Sequence, residues 1–278
     1  MPVTEHRLIA FDQTPLFYRK VVPVLPTKAL VFLVHGMGEY GGRYTEFAEY
    51  LASCGIECWL PDLRGFGNSG GKRGCVRHLS DYENDLEALG TLAERTHRGL
   101  PLFLMGHSFG GLLASRLLEE TRVLRPKGLI LSSPLFGIAI AVPFWQKILA
   151  ALASFLAPNF TQNNRVQVDL LTHDHAKRLS HARDKLIHFE VSARLYTQMQ
   201  KGMSQGLEMA ERIHCPALVL QAGDDKIVSR EKTTLFYERL GSLDKEFQVY
   251  QDFYHEVLNE SERAKVYARI QQWLLKHI

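Results

Sequence analysis

Cysteine is scarce in this chain. Only Cys54, Cys58, Cys75 and Cys215 occur in 278 residues, and no two form a CxxC pair. Their spacings suit no zinc site, so no metal centre is expected, and they are too few for a disulfide framework. Free thiols are expected, with Cys54 and Cys58 open as a pair. Excess charge is missing too: 33 Lys and Arg against 30 Asp and Glu leave a net +3. That balance excludes a nucleic-acid footprint, and Lys72-Arg73 and Lys177-Arg178, set among acids, read as solvated surface. Repeats and low-complexity tracts are absent. Met1–His6 lacks a basic stretch followed by an apolar one, which reads as no signal peptide and a cytoplasmic protein. At 46% hydrophobic and 23% charged residues, disordered, collagen-like and coiled-coil classes are excluded.

One apolar run is long enough to test for a membrane span. Residues 137–157, GIAIAVPFWQKILAALASFLA, are interrupted by Pro143, Gln146 and Lys147, which argues against spanning. The run predicts a helix over about 144–156 instead. Phe144, Trp145, Ile148, Leu149, Leu152, Phe155 and Leu156 share one broad face, with Lys147 and Ser154 opposite. Such a face either packs on the protein core or meets lipid or an acyl chain.

What is present in quantity is alternation. Short apolar runs at 29–34, 56–60, 102–105, 128–132, 217–221 and 246–250 predict strands. Between them, 44–53, 79–97, 111–124 and 230–240 carry helical periodicity. Runs this apolar suit a parallel sheet covered on both faces by helices. His6–Phe11 and Pro15–Val22 read as an edge hairpin. The rhythm breaks between about 135 and 213, where no strand is predicted. The expected division is a core of residues 1–134 and 212–278 with a helical cap over 135–211, placed at the carboxyl ends of the strands.

The run at 102–105 leads into Gly106-His107-Ser108-Phe109-Gly110-Gly111 and then a helix, a G-x-S-x-G in the strand–turn–helix context it requires. The turn strains Ser108 and pushes its hydroxyl outward, while side chains at Gly106 or Gly110 would collide with the neighbouring helix or strand. A serine hydroxyl needs a base, and the base needs an orienting carboxylate. In chain order these are Asp225, just past one predicted strand, and His255, just past another, with Asp224 as the competing acid. His35 and His107 precede the acid, His277 lies in the terminal helix, and His173, His175, His181 and His188 lie in the cap. An oxyanion needs donors as well. The N–H of Phe109 is one, and the loop His35-Gly36-Met37-Gly38-Glu39 offers Met37 as the second. His35 is expected to orient that loop.

The blocks HGMGEYGGRY (35–44), PDLRGFGNSGG (61–71), GHSFGG (106–111), QAGDDKIV (221–228) and YHEVLNE (254–260) together resemble the monoacylglycerol lipase and lysophospholipase branch of the α/β-hydrolases. The resemblance covers most of the core, with all five blocks in order. It implies a mostly parallel eight-stranded sheet with an inserted helical cap, a Ser108–Asp225–His255 triad, and Met37 and Phe109 as oxyanion donors. It also implies an acyl-enzyme route needing no cofactor or metal, acting on a single-chain lipid ester. The cap is then a candidate for transient membrane-surface contact. The 62–70 loop reads as a structural turn. Two departures are Phe109, where Met is common, and a cap that matches loosely. An esterase for short esters and an aminopeptidase stand as alternatives, the latter needing an acid such as Asp169, Asp174 or Asp184 for the substrate's amino terminus. A dehalogenase would need Asp at position 108. A non-catalytic lipid binder would not need the intact serine, acid and histidine.

Overall fold

A computed structural model describes residues 1–119, 123–140, 142–163 and 166–278, without the side chain at 147. The elements in order are β1 (Val3–Ile9), β2 (Pro15–Val21), β3 (Ala29–Val34), α1 (Thr45–Ser53), β4 (Ile56–Pro61), α2 (Leu79–Thr96), β5 (Leu102–His107), α3 (Phe109–Glu119) and β6 (Gly128–Ser132). There follow α4 (Phe144–Leu156), β7 (Thr161–Asn163), α5 (His175–Arg183), β8 (Glu190–Ser192), α6 (Ala193–Met209), β9 (Ala217–Ala222), α7 (Arg230–Arg239), β10 (Lys245–Tyr250) and α8 (Arg263–His277). The end of the helix expected over 111–124 falls partly on residues 120–122, outside the described residues.

Eight strands form one sheet in the order β1-β2-β4-β3-β5-β6-β9-β10. The hairpin β1–β2 and its junction with β4 are antiparallel, and every later pairing is parallel. The continuous apolar runs are explained by burial on both faces. Within β3, Leu30, Phe32 and Val34 join the core under α2, α3 and α6, while Val31 and Leu33 join the core under α1 and α8. A pleated strand sends alternate side chains to opposite faces, so a strand covered twice loses its alternation of polarity. Every residue of β3, β4, β5, β6 and β9 is buried, whereas edge strand β1 is largely exposed.

The stretch between β6 and β9 is mostly helical, with one correction. β7 and β8 form a short antiparallel pair, Thr161 opposite Ser192. Three residues each, TQN and EVS, are too short and too polar to carry a strand period. For α4 the periodicity leaves two directions open, and the structure selects one. Its apolar face does not pack on the core: Phe144 is 77%, Trp145 60% and Phe155 81% exposed, and Ile148, Leu149, Leu152 and Leu156 are exposed with them. The polar residue faces inward instead. Buried Ser154 lies 2.9 Å from Thr197 Oγ1 of α6, and Arg194 Nη2 donates to the Ser154 carbonyl at 2.8 Å. Among the described residues no helix is long and apolar enough to cross a membrane. All four cysteines are free. Lys177 and Arg178 pair with Glu46 and Asp169, while Arg73 is only half-exposed, with its Nη1 buried.

Candidate active site

Ser108 stands on the turn from β5 into α3 with φ at 51°, left-handed for a residue with a side chain. Its backbone is held on all sides. Ser108 N donates to the Ser132 carbonyl at 3.0 Å, and its own carbonyl accepts from Leu135 N at 3.0 Å and Gly111 N at 2.9 Å. The flanking glycines permit this closeness. A Cβ on Gly106 would stand 2.3 Å from the Gly110 carbonyl oxygen, and one on Gly110 would stand 2.2 Å from that of Val34. The turn is therefore wedged between the end of β3 and its own helix. Strain held by such over-determined packing is typical of sites where a side chain must be presented outward.

The loop after β3 comes up beside the serine. A Cβ on Gly36 would lie 3.2 Å from Ser108 Cβ and 3.2 Å from the His107 ring. His35 does orient this loop: its Nδ1 donates to the Gly36 carbonyl at 2.7 Å, and its Nε2 accepts from Leu63 N at 2.9 Å. Burial lowers the pKa of His35, consistent with a neutral ring donating from Nδ1. Among the described residues the N–H groups of Met37 and Phe109 have no protein acceptor. Phe109 is the first residue of α3, where a helix leaves its N–H unpaired, and that terminus favours negative charge nearby.

Past β9, Asp225 is fixed before it meets any histidine. Its Oδ1 accepts from Ile227 N at 2.9 Å and Val228 N at 3.0 Å. Past β10, His255 Nδ1 donates to Asp225 Oδ2 at 2.9 Å, leaving Nε2 free to act as a base. Asp224 instead pairs with Lys226 at the surface. Burial alone would lower the pKa of His255, but the Asp225 carboxylate, with Glu256 and Glu39 acting in the same direction, outweighs it and raises the ring above its ordinary value. Asp225 is buried, which would raise its pKa, yet His255 and the two backbone donors hold it below the usual carboxylate range. His255 packs 4.8 Å from the ring of His107, the residue before Ser108. Burial lowers His107 to about 4, so that ring is neutral and donates from Nδ1 to the Ser132 carbonyl. Among the described residues no hydrogen bond joins Ser108 to His255.

Sequence reasoning assigned no role to the buried network that ties these pieces together. Glu39 Oε1 accepts from Gly36 N at 2.7 Å and from the Tyr44 hydroxyl at 2.5 Å. Arg43 bonds Glu39 Oε2 at 2.5 Å and both oxygens of Glu256, at 2.8 and 2.7 Å. Glu256 is the neighbour of His255. Although burial opposes its charge, Arg43 pulls Glu256 down to about 2. Glu39–Arg43–Glu256 thus braces the glycine loop against the histidine loop. The signal was the Glu-x-x-x-Arg-Tyr spacing within HGMGEYGGRY, whose i, i+4 pair is this contact. The 62–70 loop is a structural turn as expected, with Asp62 accepting from Gly41 N and Asn68 N.

A mostly parallel sheet, a serine on the strained turn after β5, and an Asp–His pair past β9 and β10 define an α/β-hydrolase. The family model described as "Serine aminopeptidase, S33" matches residues 26–262. The chain belongs to that family, in its monoacylglycerol lipase branch, and is a carboxylic-ester hydrolase. It is similar to a phospholipase, YtpA, of Bacillus subtilis, 32% identical over 240 residues, covering 86% of this chain and 92% of that one. It is also similar to the crystal structure of a monoacylglycerol lipase from Paleococcus ferrophilus, with TM-score 0.86, 29% identity, and 95% and 99% of the two chains covered. An uncharacterized abhydrolase domain-containing protein of Dictyostelium discoideum is 32% identical over 272 residues. That match covers 98% of this chain but only 29% of the longer relative.

Proposed function

We propose that this hydrolase cleaves esters of single-acyl-chain lipids, monoacylglycerols or lysophospholipids, through an acyl-enzyme on Ser108. His255 Nε2 takes the hydroxyl proton as Ser108 Oγ attacks the carbonyl, and Asp225 holds the imidazole and stabilises its charged form. The N–H groups of Met37 and Phe109 receive the oxyanion. The protonated ring then donates to the departing alcohol, and water, activated by the same base, releases the fatty acid. The missing Ser108–His255 hydrogen bond is no obstacle, because such contacts tighten when substrate binds.

The observation that carries the lipid reading is the outward apolar face of α4. Residues 135–211 serve as a cap, and this face rests on the surface of a lipid aggregate while one acyl chain is drawn inward. The acids a peptidase would use for an amino terminus are engaged elsewhere. Asp174 caps α5 and pairs with Arg263, Asp184 accepts from the Tyr40 hydroxyl, and Asp169 pairs with Arg178. A panel of monoacylglycerols, lysophospholipids, short p-nitrophenyl esters and aminoacyl anilides tests the proposal. The highest kcat/KM is expected on a single-chain lipid. Preference for acetyl esters or anilides overturns it.

A further inference from the structure

The insertion between β6 and β9 touches the core in two different ways. The helix α4 leaves its apolar face to solvent. The stretch 171–190, in contrast, is fastened to both loops that carry the proposed chemistry. On the histidine side, Glu256 N donates to the Leu171 carbonyl at 2.8 Å, and Thr172 Oγ1 donates to the Asn259 carbonyl at 2.9 Å. On the glycine-loop side, the Tyr40 hydroxyl donates to Asp184 at 2.7 Å, and His188 makes the connection nearest Met37. His188 N donates to the Gly38 carbonyl at 3.1 Å. The Gly38 backbone, at φ 83°, runs so close that a Cβ there would lie 2.8 Å from the His188 carbonyl oxygen. The His188 ring reaches the next loop, donating from Nε2 to the Gly65 carbonyl at 2.9 Å. It also stacks on Phe66, with centroids 4.8 Å apart and planes 9° apart. Phe66 in turn meets the edge of His35 at 5.9 Å, and His35 holds the Gly36 carbonyl.

We propose that His188 is a positioning residue for ester hydrolysis: from the insertion it sets the loop that presents the Met37 N–H to the oxyanion. The inference rests on the oxyanion role proposed for Met37. It adds that half of the cap is part of the catalytic scaffold and not a lid. His188 acts through other groups. Its backbone N–H fixes Gly38, one residue beyond Met37, and its ring pins that backbone against Gly65 and Phe66. Without the ring the His188 backbone is free to shift, and Gly38 shifts with it. A displacement of about 1 Å at a reacting group can cost on the order of a hundredfold in rate.

The test uses p-nitrophenyl butyrate, a short ester whose binding asks little of an acyl tunnel. His188→Ala is expected to lower kcat roughly tenfold or more with KM within about twofold, since the missing contact is made to the transition state. A trifluoromethyl ketone, whose adduct places an oxyanion in the same position, should lose affinity by the same factor as kcat/KM. His188→Gln, which can place an amide nitrogen where Nε2 stands, is expected to recover most of the rate. His188→Phe, which keeps the stack and loses the donor, is not. The Gln and Phe variants also carry the test if the Ala variant fails to fold. The proposal is overturned if kcat is unchanged while only the melting temperature falls, if KM alone rises, if inhibitor affinity does not follow kcat/KM, or if Phe rescues as well as Gln. Loss of fluorophosphonate labelling in Ser108→Ala tests the underlying mechanism separately. A Ser108→Ala protein that still turns over ester removes that mechanism whatever the His188 variants do.

Discussion

Replacing Phe155 of α4 by Ser should loosen the protein from lipid surfaces while leaving its fold and intrinsic chemistry intact. Phe155 is 81% exposed. An aromatic side chain presents roughly 200 Å², so about 160 Å² of ring is available to a lipid surface. At about 25 cal/mol per Å² that is roughly 4 kcal/mol if fully inserted. A ring at the headgroup boundary loses about half its contact with water, which leaves about 2 kcal/mol, or roughly thirtyfold in partitioning. The folded protein gives up no buried contact, so the melting temperature should move by about a degree at most. Co-sedimentation with phosphatidylcholine vesicles measures the partitioning, and turnover of p-nitrophenyl acetate in solution measures the chemistry. Trp145→Ser and Leu149→Ser should act in the same direction and flatten the rise of kcat/KM with acyl-chain length while sparing the acetyl ester. Vesicle binding and chain-length profile unchanged, together with a melting temperature several degrees lower, would refute the reasoning, because the face would then be packing inside the protein.

Three further outcomes are expected. Ser108→Ala should abolish turnover and fluorophosphonate labelling, and His255→Ala should cost about as much, since the two act as a unit; equal labelling of the Ser108 variant at another serine would refute the assignment. The proposed mechanism needs neutral His255, whose pKa is held above its ordinary value, against burial, chiefly by Asp225, so kcat/KM should climb with pH through a midpoint above the ordinary histidine value. Asp225→Asn removes the largest raising charge and leaves the burial, with Glu256 and Glu39 still raising the ring. It should therefore slow the reaction by orders of magnitude and move the midpoint down, and a midpoint that stays put contradicts the pairing. Gly110→Ala drives a Cβ to 2.2 Å from the Val34 carbonyl oxygen and should lower the melting temperature by several degrees along with activity; a fully active, equally stable variant would show that the turn can relax.

The positions of most strands along the chain and the glycine pattern of the elbow were legible in the sequence because their causes are local. A strand covered on both faces must be apolar throughout, and a turn wedged between two backbones must carry glycine at Gly106 and Gly110. Chain order alone also pointed to Asp225 and His255, each just past a strand end. The choice between Asp225 and Asp224 was different. It depended on which carboxylate the Ile227 and Val228 N–H groups would capture, and that is loop geometry. The direction of α4 was likewise undecided by its pattern. A helix with one apolar face obeys the same periodicity whether that face meets the core or a lipid, and only the packing of Ser154 and Thr197 against each other showed which side is inward. The Arg43–Glu256 half of the brace and the contacts of His188 join residues more than a hundred positions apart. No period or spacing records such pairings, because they are made by the folded sheet bringing distant loops to one edge.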